Sequence, residues 1–216
     1  MGQDTSSGRG GGFASQRRRQ YLHELAVLEP FGAGGPVAHT FLTFGFADGR
    51  HLAVSVEIRK ERSEKYSPLR GLFRNYELIY IVGDERDLVG MRANIRKNDV
   101  YVFPLRARKD RVRALLVSML RRADGLRTRP EFYSTFQSNC FSNIIRHVNE
   151  LVDHPIGFDR RVLFPGYADQ LLFERGVIDF DGTLEQTRER FRINARSALL
   201  PDGPAWSRQI RNLGGS

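Results

Sequence analysis

The residue of this sequence best suited to covalent chemistry is Cys140, its only cysteine. A polar stretch precedes it and an amphipathic segment follows, since Ile144, Val148 and Leu151 recur at helical spacing. A thiol in the first turn of a helix meets unpaired backbone N–H groups and the positive end of the helix dipole, both of which favour thiolate. Cys140 is therefore a candidate nucleophile, although a lone cysteine is more often a small buried apolar residue.

The turn around Cys140 also supplies groups that a nucleophile needs. Ser138 or Asn139 is suited to cap the helix. Backbone N–H groups from Asn139 to Phe141 are candidates to support Cys140 and to hold the oxyanion that forms on an attacked carbonyl. A base and a carboxylate that orients it must come from elsewhere in the chain.

Residues 37–47 and 50–59 predict two antiparallel strands, because apolar and polar residues alternate in both. A two-residue loop at Asp48 and Gly49 would mix the two faces of the hairpin. A three-residue loop at 47–49, with Gly49 in the left-handed region, keeps each face consistent. We therefore predict the longer loop.

The predicted register places a carboxylate opposite a histidine. It pairs Leu42 with Val54, Thr40 with Val56, and His39 with Glu57. A carboxylate behind an imidazole is the relation that thiol catalysis needs between orienting group and base. An ordinary cross-strand ion pair is the alternative interpretation of His39 and Glu57.

The rest of the chain predicts a mixture of helices and strands. His147 follows Cys140 on the same helix face but about 10 Å away, so we interpret it as a supporting residue. Residues 60–74 predict a charged loop and 201–216 a loose tail. Further strands are predicted at 76–82 and 100–105, and helices at 21–28, 84–94, 110–123, 139–152, before Gly176 and at 183–195.

Length and composition indicate one domain with irregular ends. We expect a disordered or non-native leader at 1–35, rich in Gly and Arg, a folded domain at 36–195 and a C-terminal tail at 196–216. The leader lacks the apolar core of a signal peptide, and no apolar run approaches the ~18 residues of a transmembrane helix.

The formal net charge of +9 favours anionic partners such as a membrane surface. Nucleic acid is not expected, because the basic residues are dispersed and no nucleic-acid motif accompanies them. No cofactor is expected, nor a metal, because no His, Cys and Asp cluster has zinc spacing. The oligomeric state stays open.

Several motifs in one order resemble a bacterial envelope family, the N-terminal periplasmic domain of the lipoprotein N-acyltransferase Lnb. The resemblance runs from about Pro36 to Asn194, which is most of the chain. It rests on the histidine strand 38–46, the glutamate strand 54–61, and the segments 73–80, 83–87, 139–144 and 164–167.

The resemblance implies an α+β fold with a central antiparallel sheet, on which the thiol helix packs. The order of histidine strand and Asn-Cys helix start is also similar to the circularly permuted papain-like group, which includes NlpC-type hydrolases. In that pattern Cys140 would be the nucleophile, His39 its base and Glu57 the third member. Family members usually carry an export signal and more chain before the histidine strand, where this sequence has the leader.

The expected function is thiol-dependent acyl transfer at the periplasm or cell envelope, with phospholipid or lipoprotein acyl groups as donors. An amine acceptor would make the protein an N-acyltransferase, and water would make it a hydrolase. One alternative is an NlpC-like peptidase or amidase acting on cell-wall peptides. Another is a non-catalytic envelope or membrane-surface module in which Cys140 is simply buried.

Overall fold

A computed structural model of the protein describes residues 23–31, 35–59, 76–134 and 138–212. The predicted leader over residues 1–22 and the predicted charged loop at 60–74 lie outside these described ranges. Within them, six strands form one antiparallel sheet in the order β5-β1-β2-β3-β4-β6. The strands are β1 His23–Pro30, β2 Ala38–Gly45, β3 His51–Arg59, β4 Tyr76–Asp84, β5 Tyr101–Pro104 and β6 Phe132–Tyr133.

Helices lie against both faces of this sheet, which confirms the predicted α+β class. A π-helix spans Arg86–Ile95, a 3-10 turn spans Pro165–Tyr167, and the α-helices follow one another towards the C-terminus. No helix in the described ranges is long and apolar enough to cross a bilayer. The α-helices are α1 Lys109–Gly125, α2 Cys140–Asn149, α3 Arg160–Leu163, α4 Ala168–Glu174, α5 Leu184–Phe191, α6 Asn194–Leu199 and α7 Trp206–Gln209.

The β2–β3 hairpin has the predicted loop. Phe46 N–H donates to the carbonyl of Arg50 at 2.8 Å, which closes a three-residue loop. Gly49 has φ 85°, a left-handed conformation that glycine adopts without steric cost. The register next to the loop is also as predicted, with Leu42 opposite Val54.

Beyond that pair the two strands separate. The ladder between β2 and β3 runs from the Gly45–His51 pair to Leu42–Val54 and ends there, although both strands continue. The predicted ladder pairs Thr40–Val56 and His39–Glu57 are therefore wrong as backbone pairs. Residues 38–41 keep their pairing with β1 on the other edge of β2, and residues 55–59 keep their pairing with β4 on the other edge of β3.

The helix predicted at 21–28 is wrong, because His23–Pro30 is a strand in the interior of the sheet. It pairs with β2 along its whole length and with β5 over Leu25–Leu28. Hydrogen bonding on both edges outweighs the local helical pattern, as tertiary context commonly does. Since β1 belongs to the domain, the leader predicted at 1–35 is wrong for this segment.

The loose tail predicted at the C-terminus is also wrong where the structure describes it. Trp206 is 2% exposed and Ile210 is 1% exposed. Both pack in a core cluster with Phe41 and Val89, on the face of the sheet that the π-helix covers. Burial of these large apolar side chains fixes the segment to the domain.

The opposite face of the sheet carries the candidate thiol helix. Leu42, Val54 and Val56 form a core there with residues of α1 and with Cys140 and Ile144 of α2. The β2 and β3 strands thus have an apolar cluster on each side. Their separated ends lie between the thiol helix on one face and the π-helix on the other.

Candidate active site

Cys140 is the first residue of α2 and is 2% exposed. Asn139 caps the helix, because its side chain accepts a hydrogen bond from Ser142 N–H at 2.7 Å. In return the N–H of Asn139 donates to Ser142 Oγ at 2.9 Å, which completes a capping box. The predicted helix start and cap are confirmed.

The capping arrangement separates the roles of the residues beside Cys140. The Asn139 side-chain amide donates to the carbonyls of Val162 and Leu163, at 3.2 Å each. With its backbone N–H donating to Ser142 Oγ, Asn139 supports the turn, and its role at an oxyanion stays a prediction. The N–H groups of Cys140 and Phe141 lie in the first helical turn, where no intrahelical acceptor exists.

His39 lies at the start of β2, where the strands separate, and is 8% exposed. Its Nε2 lies 2.7 Å from Ser55 Oγ and 3.0 Å from Glu57 Oε1. Ser55 Oγ–H donates to Glu57 Oε1 at 2.8 Å, so the hydroxyl accepts from His39 Nε2–H. The structure therefore brings together the two side chains that the sequence paired, through side-chain contacts and not through the ladder.

Both contacts use His39 Nε2, so Nδ1 is the ring nitrogen that remains to accept a proton, and the Cys140 thiol donates to the carbonyl of Ala38 at 3.9 Å. Burial lowers the pKa of His39, but hydrogen bonds with Cys140 and Glu57 outweigh it and raise the pKa to about 9. Burial likewise raises the pKa of Glu57, while the hydrogen bond and charge of His39 and the charge of Arg92 lower it to about 2. Imidazolium and carboxylate thus stabilise each other next to the thiol.

A buried arginine behind Glu57 was not predicted from the sequence. Arg92, on the π-helix, is 3% exposed and donates to Glu57 Oε1 at 2.7 Å and to Glu29 Oε2 at 2.8 Å. Its guanidinium also lies 4.7 Å from the centre of the Phe41 ring. Arg92 thus holds the same Glu57 oxygen, Oε1, that lies 3.0 Å from His39 Nε2.

Some of these partners had a sequence signal and some had none. Ser55 occupies the same face of β3 as Glu57, two residues earlier, so the predicted strand already placed it beside the carboxylate. Glu29 lies just beyond the segment for which the sequence predicts a helix. Arg92 is one arginine among many, and its burial depends on the long-range packing of the π-helix.

Cys140, His39 and Glu57 line a single cavity of about 560 Å³, within the size range of small-molecule sites. Most of its wall is apolar, and its polar lining includes Cys140, His39, Glu57 and Arg92. One wall of the cavity is formed by the residues at the end of α3 and just after it. This wall is held to the chain just before β2, because Gly166 N–H donates to the carbonyl of Pro36 at 3.0 Å. The apolar lining is Phe31, Val37, Ala38, Val56, Ile58, Leu163, Phe164 and Pro165.

His147, interpreted from the sequence as a supporting residue, belongs to a different polar cluster. Its Nε2 lies 2.8 Å from Tyr80 Oη and its Nδ1 lies 2.8 Å from Ser118 Oγ. Ser118 in turn donates to Glu150 at 3.1 Å. Burial lowers the pKa of His147 to about 4, so the ring is neutral and links α2 to β4 and α1.

No cluster of His, Cys, Asp and Glu among the described residues could hold a metal ion. The polar lining of the cavity instead includes a thiol, an imidazole, a carboxylate and a guanidinium, of which the carboxylate of Glu57 contacts both His39 and Arg92. Such a set can move a proton between sulfur and nitrogen and can stabilise the charges that result. It has the composition of a nucleophile with its base and the groups that orient the base.

A comparison with known proteins matches the part of the chain that contains this site to one protein family. The family model of the Lnb N-terminal periplasmic domain matches residues 26–166, which is more than half of the chain. No curated protein and no solved structure matches significantly. The matched range contains Cys140, His39 and Glu57, and the family description indicates the periplasm or the cell envelope.

Proposed function

This chain belongs to the Lnb N-terminal periplasmic domain family, and we propose that it is a thiol enzyme of the cell envelope that transfers acyl groups through a thioester on Cys140. The observation that carries the proposal is that His39, which lies 3.0 Å from Glu57, and Cys140 line one cavity, where the thiol is among the groups that raise the pKa of His39. With it we propose the circularly permuted papain-like arrangement, in which a thiol at a helix start meets a strand histidine.

The first half of the reaction forms the acyl-enzyme. The proton of the Cys140 thiol passes to His39 Nδ1, which gives the imidazolium that the Glu57 carboxylate stabilises, and the resulting thiolate attacks the carbonyl carbon of an ester. The N–H groups of Cys140 and Phe141 are placed to stabilise the oxyanion. When the C–O bond breaks, the leaving alcohol takes the proton from His39, and a thioester remains on Cys140.

The second half returns the thiol. An amine attacks the thioester carbonyl, loses a proton to His39, and leaves as an amide, while the Cys140 sulfur departs and recovers that proton. Water in place of the amine would give a carboxylic acid. Glu57 acts throughout as a positioning residue, because its carboxylate stabilises the imidazolium that forms in both halves.

The shape of the cavity supports a substrate with an apolar acyl part. Its apolar walls extend away from the thiol over β2, β3 and the α3 segment, and burial of each methylene against them is worth about 0.8 kcal/mol. We propose acyl groups of phospholipids or lipoproteins as the donors.

The test is intact mass spectrometry of the full chain after incubation with a phospholipid or an activated fatty-acyl ester. We expect one added acyl group, released by neutral hydroxylamine, and its transfer to an added amine. Cys140→Ala must abolish the adduct and His39→Gln must slow its formation, with circular dichroism confirming the fold of both. An adduct that persists in Cys140→Ala, or no adduct in the wild type, contradicts the proposal.

A further inference from the structure

The mouth of the thiol cavity is surrounded by exposed apolar side chains. Phe31 is 45% exposed and Val37 is 54% exposed, and both line the cavity. They lie at the two ends of the β1–β2 connection, where Phe31 N–H donates to the carbonyl of Val37 at 3.0 Å. Water therefore covers apolar surface at the point where a ligand must enter.

The end of the π-helix contributes Arg96 to the cavity wall and carries an exposed apolar and an exposed basic residue beside it in the chain. Arg96 lines the cavity, and its side chain is 49% exposed. Its ion pair with Glu29 is long, at 4.0 Å, because Glu29 already accepts from Arg92 and Asn98 at 2.8 and 2.6 Å. On either side of Arg96 in the chain, Ile95 is 77% exposed and Lys97 is exposed.

We define the mouth surface as Phe31, Val37, Ile95, Arg96 and Lys97. Apolar side chains beside exposed cations are the composition of segments that lie in the interface of an anionic bilayer. A protein partner would equally cover the apolar groups, but it would not explain why they surround an apolar cavity. A lipid phase explains both features, because a substrate with an acyl chain can then pass into the cavity without crossing water.

We propose that the mouth surface docks on anionic lipid bilayers, with Phe31, Val37 and Ile95 inserted at the headgroup level and Arg96 and Lys97 on lipid phosphates. This names the source of the acyl donor and in that respect rests on the proposed function. Docking itself needs no thiol chemistry.

The experiment is sedimentation of the full chain with vesicles of phosphatidylcholine alone, or with about 30 mol% phosphatidylglycerol. We expect tighter, salt-sensitive binding to the anionic vesicles. The double substitution Arg96→Gln and Lys97→Gln should weaken that binding by about fivefold for each cation removed. The triple substitution Phe31→Ser, Val37→Ser and Ile95→Ser should weaken binding to both vesicle types at least tenfold.

A matched pair of residues on the opposite face of the sheet supplies the control. Leu120 is 38% exposed on α1 and is followed by the exposed Arg121. The double substitution Leu120→Ser and Arg121→Gln therefore removes an exposed apolar side chain and an exposed cation away from the cavity. Binding of this control must equal that of the wild type. An equal loss in the control, or no binding of the wild type to anionic vesicles, overturns the proposal.

Two further measurements separate the alternatives. If the wild type self-associates and the triple variant is monomeric without binding vesicles, the surface is a protein interface and the proposal is wrong. Cys140→Ala must bind vesicles as the wild type does. Vesicle binding without any thioester would refute the proposed acyl transfer alone, and a thioester without vesicle binding would refute the docking alone.

Discussion

Replacement of Glu57 by glutamine tests the electrostatic coupling on which the proposed chemistry depends. Glutamine keeps the shape of the side chain and can still accept from Ser55 and Arg92. It removes the negative charge that lies 3.0 Å from His39 Nε2. The pKa of His39 should then fall, because burial acts against the imidazolium with less opposition.

The size of the effect follows from the contacts of His39. A rise in pKa from 6.5 to about 9 corresponds to about 3 kcal/mol in favour of the charged ring. Cys140 and Glu57 together produce this rise against burial, Cys140 being the larger influence. Loss of the Glu57 charge should therefore lower the pKa of His39 and remove the smaller share of this stabilisation, on the order of 1 kcal/mol.

The same coupling predicts how stability depends on pH. A pKa raised by folding stabilises the protein fully below the unfolded value of 6.5, and this stabilisation is lost as pH rises through about 9. Glu57→Gln should therefore be less stable than the wild type, and the difference in the free energy of unfolding should be larger at pH 6 than at pH 10. Urea unfolding at the two pH values measures the difference.

Two site-specific assays complete the test. NMR titration of the His39 ring gives its pKa directly, and the rate of Cys140 alkylation by iodoacetamide between pH 5 and pH 9 gives the thiolate fraction. Glu189→Gln, which changes an exposed carboxylate on α5, should leave both profiles unchanged. A wild-type His39 that titrates near 6.5, or identical profiles in Glu57→Gln and the wild type, would refute the reasoning.

Three further substitutions test other parts of the structure. Arg92→Met leaves the fully buried Glu29 carboxylate without its guanidinium, so the free energy of unfolding in urea should fall by about 3–5 kcal/mol. The control Arg113→Met, at an exposed residue, should change it by no more than about 0.5 kcal/mol. Equal losses in the two variants would contradict the buried network. Trp206→Ala should cost about 3–5 kcal/mol, and unchanged stability would mean that the C-terminal segment lies outside the core. Burial lowers the pKa of His147 to about 4, so the stability that the neutral ring gives the protein is complete above pH 6.5 and declines as pH falls towards 4. In His147→Gln the melting temperature should therefore depend less on pH across that range. An unchanged dependence of melting temperature on pH would refute this.

The local features of the site were predictable because each depends on neighbours in sequence. Gly49 after an aspartate specifies the loop, and the loop sets the register near Leu42 and Val54. Asn139 before an amphipathic run specifies the helix start. These short-range patterns are sufficient to assign Cys140 to a helix start and His39 to a strand.

The features that escaped prediction depend on contacts between distant segments. Residues 23–30 have a helical pattern of their own, and only the two neighbouring strands make them a strand. Arg92 and Glu29 are brought together over 63 residues of sequence, and no local pattern marks either. Trp206 packs on Phe41 from the far end of the chain, so its burial depends on the whole domain.

The contact between Gly166 and the start of β2 sets how the cavity can admit a molecule. A Cβ atom at Gly166 would lie 2.2 Å from the carbonyl oxygen of Gly35 and 2.7 Å from the carbonyl carbon of Pro36, so the two backbones are clamped together three residues before His39. The wall formed by Leu163 and Phe164 is therefore held against the chain that leads into His39. We expect the width of a molecule, more than its length, to decide whether it reaches the sulfur past this wall.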